Sequence, residues 1–193
     1  MPGVRSDDAR AGGHRGVRRL RFALLLCALA LAACAPRHQG HACDLSFERE
    51  IAFTAASSKD VVTARTIGPS CDKAFALYTI VSAEGDPIWA WTAPLSRVFG
   101  DLFVSAEAPQ MRAFLERWSA PRLERTSEAP AWPVPDYVHT TLDRMTYEDI
   151  RARDLPMLCH LAGTALETCV FWEPAAGGAG HFLDRDVGER SGA

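Results

Sequence analysis

From residue 43 onward, apolar and polar positions alternate with one of two periods, and the period changes along the chain. Phe47, Ile51 and Phe53 are interleaved with Glu48 and Glu50, a period-two pattern that predicts a half-buried strand over 47–55. Ser57-Ser58-Lys59-Asp60 predicts a turn, and 61–67 a second strand ended by Gly68-Pro69-Ser70. A third strand is predicted over 74–83, with Phe75, Leu77 and Val81 on one face and Tyr78 and Ile80 on the other. Apolar residues on both faces suit a central strand or one covered by a helix. Glu84-Gly85-Asp86 turns the chain into 88–92, a hairpin partner carrying Trp89 and Trp91 on one face.

The stretch 94–104 fits neither period. After it, Met111, Phe114, Leu115 and Trp118 fall at i, i+3, i+4 and i+7, the apolar face of a helix starting near Ala108. Pro109 suits its first turn and Pro121 lies past its end, while Arg112, Glu116 and Arg117 face water. Residues 124–135 hold Pro130, Pro133 and Pro135 and predict an extended surface segment, with Trp132 plugging the edge of the core. Thr146-x-x-Asp149 resembles an acidic capping box and predicts a short helix that stops near Pro156. Strands over 157–162 and 166–172 around Gly163-Thr164-Ala165 predict a second hairpin. Residues 174–180 form a glycine-rich turn that lets 181–186 pair back onto 170–173. The pattern predicts an α+β domain: an antiparallel β-sheet meander with one main amphipathic helix packed on it, as one sheet covered on one face, with a small β-barrel as the alternative.

Ahead of this domain stands a different pattern. Arg15, Arg18, Arg19 and Arg21 precede an apolar run, Phe22 to Ala33, of twelve residues. That is too short for a bilayer span, which needs about 20. A basic flank, an apolar run and then small residues is the order of a secretory signal. The run closes on Leu31-Ala32-Ala33-Cys34, which resembles the lipobox of bacterial lipoproteins. The resemblance implies cleavage after Ala33, a diacylglycerol thioether on Cys34 and an acylated new amino terminus. The basic leader is long for a signal, and Val17 is an alternative start. Ala35, where lipoproteins retained in the inner membrane carry aspartate, implies the outer membrane facing the periplasm. The expected organisation is a signal peptide over 1–33, a lipidated tether over 34–42, one domain over 43–187 and a flexible tail over 188–193. The membrane is then a partner through the lipid on Cys34, where two or more acyl chains hold stably and one holds marginally.

Cleavage changes the charge. Lys+Arg falls from 21 to 15 and Asp+Glu from 24 to 22, so the net charge moves from −3 to −7. No basic run survives, and the chain is expected to bind no nucleic acid, which needs Lys/Arg clusters. Cys27 leaves with the signal, and Cys43, Cys71, Cys159 and Cys169 enter an oxidising compartment as an even set, which reads as disulfides. A turn centred on Thr164 places Cys159 opposite Cys169, at the 4.5–5.5 Å typical of paired strand residues, leaving Cys43 with Cys71.

Motifs for chemistry are sparse. His38 and His41 in the tether lack the oriented third and fourth ligands of a stable metal site, and no Cys-x-x-Cys spacing occurs. Cys159-His160 are neighbours on a strand and point to opposite faces. His139 and His181 lie near Asp136 and Asp184 in sequence, but no Gly-x-Ser-x-Gly marks a nucleophile. No calcium loop, phosphate loop or dinucleotide fingerprint is present, so no catalytic residue, metal or cofactor is expected. The expected role is a non-enzymatic binding module for an envelope component or protein. Small anchored inhibitors of lysozyme share this general composition, and an acidic surface suits a cationic partner. The alternative is an envelope hydrolase with a site around His139, His160 or His181. Cys34→Ser should block lipidation and leave the precursor uncleaved. Mass spectrometry finding unmodified Cys34 in the membrane fraction would end the lipoprotein reading.

Overall fold

The computed structural model describes residues 43–103 and 105–188. Residues 1–42, which hold the expected signal peptide, Cys34 and the expected tether, and residues 189–193 of the expected tail lie outside them. The chain forms β1 (Leu45–Ile51), β2 (Asp60–Ile67), β3 (Phe75–Val81) and β4 (Pro87–Pro94), then α1 (Leu95–Phe99) and α2 (Ala108–Trp118). Next come β5 (Arg122–Arg125), β6 (Val138–His139), α3 (Arg144–Ala152), β7 (Pro156–Leu161), β8 (Leu166–Glu173) and β9 (Gly178–Asp186). This is the expected antiparallel α+β class. The strands, expected in one sheet, divide between two: a four-stranded meander β1-β2-β3-β4 and a five-stranded sheet of order β5-β7-β8-β9-β6. No closed barrel forms among the described residues. None of their helices is long and apolar enough to cross a membrane.

Burial explains the division. β2 alternates buried and half-buried residues along its length, and β3 buries Ala76, Tyr78 and Ile80. The first sheet therefore has one apolar face to cover. β7 instead buries four consecutive residues, Met157 to His160, and β8 buries Thr168 to Phe171. A strand buried on both faces needs a layer on each side. Leu158 and Val170 face a core shared with the first sheet and α2, while Met157, Cys159, Cys169 and Phe171 face a second core under α3. On β3 the expected apolar face of Phe75, Leu77 and Val81 is the outer one, and Phe75 is 51% exposed.

α2 spans the predicted helix. Met111, Phe114, Leu115 and Trp118 are buried, and Arg112, Glu116 and Arg117 are exposed. Its start is fixed by the Gln110 side chain, which accepts from the Glu107 N–H at 2.7 Å. The cap of α3 lies three residues before the expected one. Asp143 accepts from the Thr146 N–H at 2.9 Å, so Thr146 lies inside the first turn and the Thr146-x-x-Asp149 box is not the cap. The Thr146 backbone bond holds the Asp143 carboxyl below the usual range. Trp132 is half-buried with its ring centroid 5.9 Å from that of Tyr147, the expected edge plug. The proline-bearing segment is interrupted by short structure: β5 pairs with β7, and β6 with β9.

The terminal hairpin has the predicted register, with Cys159 directly opposite Cys169. Both pairs are disulfides, with Cα–Cα distances of 5.0 Å for Cys43–Cys71 and 4.1 Å for Cys159–Cys169. On the chain-entropy account each stabilises by roughly 3 kcal/mol, slightly more for the longer Cys43–Cys71 loop. Non-reducing peptide mapping should return these two linked pairs. Replacing both Cys159 and Cys169 by alanine should lower the unfolding free energy by roughly 3 kcal/mol; a Cys43–Cys169 peptide would overturn the pairing.

Candidate functional site

One row of residues crosses the second sheet on the face turned toward the first. His160 on β7 pairs with Thr168 on β8, Thr168 with Asp184 on β9, and Asp184 with His139 on β6. A register shift after Cys169 brings His181 to the same neighbourhood, where its Nε2 lies 3.2 Å from Asp184 Oδ1. Thr168 Oγ1 donates to the same oxygen at 2.7 Å. Half-burial works against the Asp184 charge, but the His181 and Thr168 hydrogen bonds outweigh it and hold the carboxyl below its usual range. His139 is mostly exposed, its Nε2 3.8 Å from Asp186. The three histidines, scattered in sequence, thus share one region of the sheet.

The row lacks the order of a nucleophile relay. Thr168 donates to the carboxylate and not to an imidazole, whereas in a triad the base stands between hydroxyl and acid. His160 has both nitrogens committed. Trp89 Nε1 donates to its Nε2 at 3.3 Å, and its Nδ1 lies 3.0 Å from the Leu161 carbonyl, an arrangement that suits the neutral ring. The same carbonyl accepts from Trp118 Nε1 at 2.8 Å. The His160 ring stacks on Tyr78 with centroids 4.2 Å apart and is 2% exposed. Burial pulls its pKa down to about 4, outweighing the Leu161 bond that favours the charged form. Burial likewise pushes the Tyr78 phenol up, and its hydroxyl has no hydrogen-bond partner among the described residues.

On the opposite face, as expected, Cys159 points away from His160. Arg185, largely buried, donates to Glu167 at 2.9 Å, Glu124 at 3.0 Å and Cys159 Sγ at 3.1 Å. Arg122 completes a ring of alternating charge by pairing with Glu124 at 2.8 Å and with Glu167. Cys159, Cys169 and Glu167 bring three potential metal-ligand atoms within 4.8 Å of one another, but both sulfurs are spent in the disulfide.

Among the described residues, the surface grooves include the following three. One of about 460 Å³ lies between residues 52–56 and β5. A second, of about 740 Å³, runs between β1 and α2. A third, of about 390 Å³, lies among α1, the helical turn Gly100–Phe103, α2 and the β7–β8 turn. Its walls are Phe99, Leu102, Phe103, Phe114 and Leu161, with Arg117 and Gln110 among its polar lining groups. The rings of Phe99 and Phe103 each meet Phe114 with centroids 5.1 and 4.7 Å apart. Leu102 remains 66% exposed beside it. Ser105 and Thr164 also line it, so apolar and polar surface meet in one concavity, as in ligand sites. Three of its walls come from 94–104, which the sequence pattern left without an element. The signal there is short: Phe99, Leu102 and Phe103 stand at i, i+3 and i+4, a single helical turn. Cys34, His38 and His41 lie outside the described residues.

No protein-family model, no curated protein and no solved structure matches this chain.

The His160 environment predicts a pH dependence. In the unfolded chain its ring titrates near 6.5, and in the fold near 4. Between these values the unfolded state binds the extra proton, so stability is fully present above about pH 6.5 and falls as the pH drops toward about 4. The loss reaches about 3 kcal/mol. His160→Phe removes this term, so the stability gap between wild type and variant should narrow by that amount across the window. A gap independent of pH in urea unfolding would show that His160 is not held neutral.

Proposed function

We propose that this chain is a lipoprotein of the cell envelope, anchored through lipid on Cys34 at the periplasmic face of the outer membrane. In this reading its domain binds an envelope component in the groove between α1 and α2. The observation that carries the binding reading is the groove itself: aromatic walls, an exposed Leu102 at its side and no acid–base pair within it. Four cysteines paired as disulfides support an oxidising compartment. The net charge of −7 from Cys34 onward supports a soluble domain that does not seek nucleic acid.

The hydrolase reading has one supporting contact, the His181–Asp184 hydrogen bond, because such a pair can act as a general base toward water. It is the weaker reading. Thr168 occupies the carboxylate instead of receiving help from a histidine, and the three grooves described above are lined by other residues.

Photocrosslinking in intact envelopes tests the binding reading. Benzoylphenylalanine at position 102 should form a discrete adduct. The same group at Met145, 82% exposed on α3, should form none. Equal background labelling at both positions would remove the groove as the binding surface.

A further inference from the structure

We infer that the groove takes a single-chain anionic amphiphile, an acyl chain ending in a carboxylate, with Arg117 receiving the head group. The inference rests on the binding reading above and names its ligand class. Three observations converge on it. The groove has an apolar wall of Phe99, Leu102, Phe103, Phe114 and Leu161 for an acyl chain, with Ser105, Gln110, Arg117 and Thr164 as polar lining for a head group. Each methylene moved from water onto such a surface contributes up to about 0.8 kcal/mol.

The charge is complementary. Among the described residues, Arg117 is the charged residue lining the groove, and no carboxylate of theirs lines it. Among the described residues, seven other arginines have a hydrogen-bond or ion-pair partner: Arg65 holds Asp44, Arg185 holds two glutamates, and Arg49, Arg122, Arg125, Arg151 and Arg153 are likewise engaged. Arg97, Arg112, Arg117 and Arg144 form no ion pair among the described residues, and of these four Arg117 lines the groove. A carboxylate there gains a charge-assisted hydrogen bond.

Position supplies the third observation. The turn Gly100–Phe103 lies beside the short helical turn Cys71–Lys73, and Cys71 is bonded to Cys43, where the tether enters the domain. The groove therefore lies near Cys43, nine residues after the expected lipid attachment at Cys34.

Lipidated protein in phosphatidylcholine vesicles is exposed to diazirine-labelled palmitic acid, irradiated and mapped by peptide mass spectrometry. Label should concentrate on residues 99–118. The methyl ester of the same probe and the Arg117→Glu variant should each give roughly tenfold less, the loss of one charge-assisted contact. Arg117 is exposed, so the variant should keep the wild-type melting curve; if it does not, Arg117→Gln replaces it. Equal labelling by acid and ester would overturn the role of Arg117. Equal labelling by a diazirine phosphatidylcholine would show that this end docks on the bilayer surface and would overturn the single-chain ligand. Absence of palmitate label, with the position-102 adduct still forming, would overturn the ligand class and leave the groove as a binding surface. Loss of both would remove the groove altogether.

Discussion

The register of the β7–β8 hairpin is the constraint on which the rest depends. Both strands are buried on both faces, so a slip of one residue would exchange everything that Leu158, His160 and Val170 do with what Met157, Cys159 and Cys169 do. The consequences would be asymmetric. His160 would move from an aromatic cage that satisfies both its nitrogens into the core under α3, and the Arg185 ring of charges would lose its sulfur and its geometry. The Cys159–Cys169 bond joins residues directly opposite each other and pins this register covalently. The second sheet can therefore present different chemistry on its two sides without a choice between them.

With that sheet in place, the neighbouring layers follow. On one side α3 and the segment from Ala129 to Tyr137 close the second core through Tyr147, which stacks on Phe182 and donates to the Pro130 carbonyl. On the other, Tyr78, Trp118 and His160 form an aromatic junction between the two sheets and α2. The Leu161 carbonyl, bonded by Trp118 and facing His160 Nδ1, ties α2 to β7 at the point where the groove begins. In the outer wall of the groove Phe103 is buried while Leu102 is exposed.

The separation of two kinds of polar residue also follows from the sheet. His160, Trp89 and the Leu161 carbonyl are satisfied among themselves and stabilise a buried junction. Asp184 and His181 stand half-exposed at its margin, where water can still reach them. Arg117 is the contrasting case: an exposed cation that lines the groove and forms no ion pair among the described residues.

Much of the fold was legible in the sequence, and the reason is local. The helix Ala108–Trp118, the β3–β4 pair and the Cys159–Cys169 hairpin each rest on a period or a turn spanning fewer than about 20 residues, where propensity and spacing act directly. The cysteine pairing followed from the hairpin. The start of α3 was misplaced because two acceptable caps, Asp143 and Thr146, stand three residues apart. The division into two sheets was not legible, because β5 joins β7 across β6 and α3, and β6 joins β9 across α3, β7 and β8. Such pairings are chosen by which faces can bury each other, a sum over the whole chain. The meeting of His139, His160 and His181 near Asp184, and the groove at Leu102, belong to the same class. By itself the sequence determined β1 to β4, α2, the β7–β8 hairpin, the disulfides and the charge, but not α1, β5 or β6. Only the tertiary structure decided which side chains became neighbours, since burial on both faces of β7 and β8 acts between segments that no local pattern connects.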